Sequence, residues 1–306
     1  LVRGIKESAK TNNIIVSIKV AAVLFVIVAG IAYINPANWH PFIPKQTIDS
    51  SGVSHYGISG VITAAGLVFF AFIGFDAVST QSQEAINPTK DIPFAIITSL
   101  VVCTILYILV SLTITGLAKY TGLDLGAPVA SAFSSAGLSW ASLLITIAAV
   151  IGLISVMLVM LLSQTRIFLN MAKDSLLPKN IFATIHPRFK TPWKSTILLG
   201  LISSMVAALT PIEKATKMTS IGTLFAFAMI CIAVLILRKK EPDLYRPFKV
   251  KNLTVVAVLG FSFNILLMFS LDKSTWLRLI VWSIAGIVIY FLHSAKRSNL
   301  NNLNNE

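Results

Sequence analysis

Apolar runs long enough to cross a bilayer recur along the whole chain, parted only by short polar connections. Runs of roughly 18 or more apolar residues read as transmembrane helices. Candidates fall at 14–34, 58–85, 92–117, 140–169, 196–209, 215–237, 254–271 and 276–293, the fifth being short. The seventh and eighth are separated only by Asp272-Lys273-Ser274-Thr275. The fold class expected is all-α: a polytopic transmembrane helical bundle, with 1–306 forming a single membrane domain of about eight spans.

Composition points the same way. Only 12% of the 306 residues are charged and 56% are hydrophobic, with a mean hydropathy of +0.82. A soluble domain carries roughly a quarter charged residues. A net charge of +13 would suggest a nucleic-acid partner in a soluble protein. Here the basic residues lie in the connections between apolar runs, so no nucleic acid is expected and the lipid bilayer is the partner. With the N-terminus in the cytoplasm and the sides alternating, eighteen Lys and Arg fall in cytoplasmic segments and six outside, with Lys19 inside the first run. Basic residues favour the cytoplasmic side, so the chain reads as multi-pass in the cell membrane with both of its ends cytoplasmic. Trp39, Trp140, Trp193 and Trp276 fall at span ends, where an amphipathic ring favours the headgroup region.

The remaining features exclude more than they assign. Residues 1–10 are polar and basic, without the pattern of a signal peptide. Cys103 and Cys231 sit in separate apolar runs and read as small hydrophobes. His40, His55, His186 and His293 have no metal-ligand spacing, and neither a nucleophile–base set nor a phosphate-binding loop is present. No metal, no cofactor and no enzymatic activity are expected. Residues 125–137 read as a short helix over the outer surface or as loop, and the Asn-rich tail 298–306 as disordered.

Polar chemistry enters the apolar pattern at three places. In the second run an apolar half, 66–73, meets a polar half through Gly74 and Asp76. Glycine costs a helix about 1 kcal/mol relative to alanine, so the chain could unwind near Gly74 and present carbonyls to a cationic group in a buried cavity. Alternatively, 79–84 is a cytoplasmic extension outside the bilayer. Lys19 is the second place. An ammonium in hydrocarbon costs at least ~2.5 kcal/mol on insertion scales, yet only five residues from the start of the run its stem could reach the headgroups. Third, Gly152, Ser155 and Ser163 place small residues at spacings of 3 and 8 in the fourth run, which usually signals close helix packing.

The stretch Phe69-Phe70-Ala71-Phe72-Ile73-Gly74-Phe75-Asp76-Ala77-Val78-Ser79-Thr80, with Glu84-Ala85-Ile86-Asn87-Pro88 and Asp91-Ile92-Pro93 after it, resembles the bacterial cationic amino acid transporter family of the APC superfamily. Arg3-Gly4-Ile5-Lys6-Glu7-Ser8, Asn38-Trp39-His40-Pro41-Phe42-Ile43-Pro44, Met171-Ala172-Lys173-Asp174-Ser175-Leu176-Leu177-Pro178 and Tyr245-Arg246-Pro247-Phe248 agree with it in order. The resemblance implies a twelve-helix protein of the leucine-transporter type, with five-plus-five inverted repeats. The eight runs would be helices five to twelve, so this sequence would hold part of the repeat and lack helices one to four. By the resemblance, carbonyls of Phe70, Ala71 and Ile73 beside Gly74 bind the substrate amino group, and helix one holds the carboxylate. Lys19 would couple protons by alternating between charged and neutral forms, with Ser155 facing it. The implied function is secondary active, proton-coupled symport of an amino acid by alternating access, which this stretch without helix one should not perform alone. A polyamine or amine exchanger of the superfamily and a non-transporting membrane fragment are the alternatives. Gly74→Leu is expected to remove substrate binding, while Gly66→Leu, eight residues earlier, should cost far less.

The spans predict a topology. Reporter fusions at Ser50, Tyr120 and Lys273 should read outside, and those at Lys90, Lys179 and Lys249 inside. One inversion among the six overturns the span count.

Overall fold

The computed structural model describes residues 5–48, 54–246 and 248–291. The tail 298–306, expected to be disordered, lies outside the described residues, as do residues 1–4 and Pro247 of the family-like segments. The α-helices are α1 (Ile5–Ile31), α2 (Gly57–Val68), α3 (Pro88–Leu117), α4 (Pro128–Ser135), α5 (Ser139–Lys173), α6 (Lys179–Phe182), α7 (Trp193–Leu209), α8 (Ile212–Lys240), α9 (Leu253–Phe269) and α10 (Lys273–Ile289). A two-strand hairpin pairs β1 (Thr47–Ile48) with β2 (Ser54–His55), Thr47 opposite His55.

Each of the eight apolar runs contains helix, but the helices differ in reach. Among the described residues, Asn12–Ile31, Gly57–Ser79, Pro88–Leu117, Ser139–Lys173 and Ile212–Lys240 are long and apolar enough to cross a membrane. α7 is shorter, at 17 residues. α9 and α10 reach that standard only as a pair, bent by 118° at their break. At the break, the Asp272 carbonyl accepts from the Thr275 and Trp276 N–H groups, and its carboxylate accepts from the Thr275 hydroxyl at 2.6 Å and from the Ser274 hydroxyl. The Lys217 ammonium lies 3.8 Å away. Burial works to raise the Asp272 carboxyl, but these two hydrogen bonds and Lys217 outweigh it and hold the group below its usual range. The Trp276 indole completes the turn by donating to the Met268 carbonyl at 2.9 Å.

The chain groups into two compact units. The first holds α1, α4, α5, α6, α3 from Ile97 onward and α7 up to Gly200. Here α5 packs along both α1 and α4, around Val26, Leu117, Ala132, Phe133, Ala141 and Ile145. The stretch left open between surface helix and loop is helix α4, and its Phe133 is fully buried, with the Phe25 ring 6.5 Å away. The last carbonyls of a helix have no partner within it. At the end of α3 they are met by the Asn-Trp segment: Asn38 Nδ2 donates to the Gly116 carbonyl at 2.7 Å and Trp39 Nε1 to the Leu112 carbonyl at 3.3 Å.

The second unit holds the hairpin, α2, α8, α9, α10 and the remaining parts of α3 and α7. α8 packs along α9 over Ile221, Leu224, Met268 and Leu271, with Leu67 and Phe69 against them. Arg246 closes the end of α8, donating to the Leu237, Glu241, Pro242 and Leu244 carbonyls. Apolar side chains such as Val101, Ile105 and Ile108 on α3 face outward, as suits a chain whose solvent is hydrocarbon.

Gly66, where leucine was expected to cost far less than at Gly74, is closely packed. It is buried in α2, and a Cβ there would stand 2.7 Å from Ser270 Oγ and 3.1 Å from the Leu267 carbonyl oxygen at the end of α9. A backbone oxygen cannot step aside as a side chain can, so Gly66→Leu makes a poor control for Gly74. Gly286 in α10 is exposed with nothing within 4 Å of a Cβ and serves better. Gly66→Ala should therefore cost about 1–3 kcal/mol by overpacking, while Gly286→Ala, with open space around its Cβ, should gain up to about 1 kcal/mol of helix stability. Thermal unfolding in detergent checks both, and equal midpoints would refute the tight α2–α9 contact.

Candidate functional site

α2 ends at Val68, and one 3-10 turn, Phe69–Phe72, carries the chain to Ile73, which is extended at φ −62°, ψ 129°. Gly74 follows at φ 126°, ψ −18°, and a further 3-10 segment runs over Phe75–Glu84. A φ of that sign disfavours any side chain and suits glycine. The next polar residue secures the break. Asp76 Oδ1 accepts from the Gly74 N–H at 3.1 Å, and the Gly74 carbonyl accepts from the Ala77 N–H at 3.1 Å. A short carboxylate that binds nearby backbone competes with regular helix, so Gly74 and Asp76 act together at this joint.

The carbonyls around the break are not all released. The Phe70 carbonyl accepts from the Ile73 N–H at 3.2 Å, because a 3-10 turn closes over three residues instead of four. A carbonyl oxygen has two lone pairs, which leaves Phe70 one further acceptor position. Phe70 and Ala71 are exposed on this turn, and Ile73 and Gly74 are half-buried.

Lys19 and Ser155 lie in the first unit, on the seam between α1 and α5. The Lys19 side chain is half-buried and runs along the backbone of α5. A Cβ on Gly152 would meet its Cγ, Cδ and Cε at 3.2, 3.3 and 3.3 Å. Ser155 is 2% exposed, and its hydroxyl donates to Asn12 Oδ1 at 2.5 Å. The hydrogen bond of Ser155 thus goes to Asn12, and it is Gly152 that meets the Lys19 stem. Asn12 was overlooked in the sequence, although its distance from Lys19, two turns earlier on α1, puts both on one helix face. Ser163, buried further along α5, has a hydroxyl with no hydrogen-bond partner among the described residues.

The seam can hold an ammonium against a helix backbone beside a buried amide–hydroxyl pair. The break can offer carbonyl oxygens at the end of an apolar helix. The first arrangement suits a cation whose charge is to be controlled, the second the recognition of a small ammonium group. Among the described residues, no three His, Cys, Asp or Glu side chains are grouped to hold a metal ion.

The family model described as amino acid permease matches residues 1–293. The branched-chain amino acid permease BcaP of Bacillus subtilis is 45% identical over 97% of this chain and 62% of its own length. The methylthioribose transporter of the same organism is 42% identical over 98% of this chain and 62% of its own length. The vacuolar cationic amino acid transporter 4 of Arabidopsis thaliana is 38% identical over 78% of this chain and 39% of its own length. The chain thus spans less than two thirds of the length of these relatives.

Proposed function

The chain belongs to the amino acid permease family and is a multi-pass membrane protein, and from that premise we propose that it serves secondary active transport of amino acids, driven by protons through alternating access. The observation that carries the reading is the break at Gly74 inside an otherwise apolar, membrane-length segment. Ammonium has several donors to place and needs several acceptors. Phe70, Ala71 and Ile73 place carbonyl oxygens on one turn beside Gly74. Low polarity around such a site strengthens each contact. Lys19 is the proton-coupling group in this reading, with Ser155 and Asn12 fixing the seam along which it lies. The chain would contribute eight spans to one membrane domain, with both of its ends cytoplasmic and the five-plus-five repeat of the leucine-transporter type.

A second reading concerns the cargo. One relative at 42% identity is named for methylthioribose, which is not an amino acid, so the same site could serve another small polar solute. Competition for uptake separates the readings. Branched-chain and basic amino acids, a polyamine and methylthioribose should each be tested against a labelled amino acid.

Two variants of the native gene product, reconstituted in vesicles, test the site. Lys19→Ala should abolish uptake driven by a pH gradient while amino-acid binding survives at least in part. Undiminished gradient-driven uptake would leave Lys19 a packed stem with no part in coupling.

Gly74→Leu should eliminate binding of labelled substrate with membrane insertion near normal, since a side chain at that φ costs about 1–3 kcal/mol in strain and occupies the ligand's space. Gly286→Leu should bind as the parent does. Equal affinity of the two variants would make Gly74 a packing glycine.

A further inference from the structure

One ring in the second unit touches both sides of the break. Phe227 projects from α8, with its ring centroid 6.0 Å from Phe69 at an interplanar angle of 82° and 5.3 Å from Phe75 at 42°. Phe69 opens the turn that leaves α2, and Phe75 is the first residue after Gly74. The five residues from Phe69 to Ile73 include every carbonyl assigned to substrate. They are therefore bracketed by two aromatic contacts to one side chain on another helix. Phe69 is also packed against the buried Ile221, Leu224, Met268 and Leu271 cluster, which includes two α8 residues. One side of the break is thus anchored by this cluster, while the Phe227 ring reaches both sides.

We propose that Phe227 is a positioning residue for the substrate site, setting the two halves of the broken segment relative to each other and so fixing where the carbonyls between them point. The local hydrogen bonds around Ile73 and Gly74, Phe70 to Ile73, Gly74 to Asp76 and Gly74 to Ala77, each close within three residues. Each of these three bonds lies on one side of the break or the other, whereas the Phe227 ring meets both sides. An edge-on and a tilted ring pair tie the two sides by geometry as well as contact area. The inference rests on the reading of the Gly74 break as the substrate site.

The test measures transport in vesicles with the native gene product. Phe227→Ala should raise KM for the amino acid about ten-fold, the equivalent of two aromatic contacts. The maximal rate should stay near the parent's, while the unfolding midpoint without substrate falls modestly because the same two ring contacts are lost there too. Phe227→Trp, which restores a ring, should return KM to within about three-fold of the parent. Phe227→Leu keeps the bulk without the ring and decides the matter by the same KM shift if the alanine variant does not reach the membrane. A parental KM in Phe227→Ala or Phe227→Leu, with Gly74→Leu unable to bind, overturns the brace and leaves the site standing. Parental binding by Gly74→Leu removes the site and the brace together. A fall in maximal rate and unfolding midpoint at unchanged KM marks Phe227 as a packing residue and overturns the proposal.

Discussion

A backbone N–H or C=O in hydrocarbon has no water to turn to, and each unmet group costs several kcal/mol. Much of what is specific in this chain answers that constraint at helix ends. Asn38 and Trp39 reach back to the last turn of α3, Arg246 gathers carbonyls where α8 stops, and the Asp272 carbonyl takes up two N–H groups where α10 starts. The family-like segments Asn38-Trp39 and Tyr245-Arg246 are therefore not arbitrary markers, because each holds the residue that closes a helix. The break at Gly74 follows the same rule, since Asp76 takes up the amide that the interruption releases.

The constraint also bears on what the break can do. A chain interrupted at membrane depth must satisfy its own polar groups or hand them to a ligand. The Phe70 carbonyl has already found a donor in Ile73, so a ligand there would share an acceptor. Sharing suits transport, because a site that binds too tightly does not let its cargo leave.

Where the helices lie was legible in the apolar runs, and the joint of the second run was legible in the order of apolar half, glycine and aspartate. These signals are local, and so is the physics behind them. What was illegible depends on a second element. Nothing in the sequence around Gly66 shows that α9 ends against it, and a four-residue connection does not advertise the bend between α9 and α10. The α4 segment looked like surface loop because Ala, Ser and Gly carry little apolar weight. Ala132 and Phe133, both fully buried, place it in a core. At the seam, Lys19 stood out because charge is rare in apolar runs, while Asn12 sat at the polar border and escaped notice. Spacing along α1 held the information, but the partner on α5 gave it meaning.

The contact between Lys19 and Gly152 limits how that lysine can move. A free lysine stem explores rotamers worth about 2 kcal/mol of entropy, and here its methylenes lie where a side chain on Gly152 would stand. Its ammonium is therefore less a tethered float than a fixture of the seam. Any change at the end of that stem is therefore close to both helices at once, because the methylenes between lie against the α5 backbone.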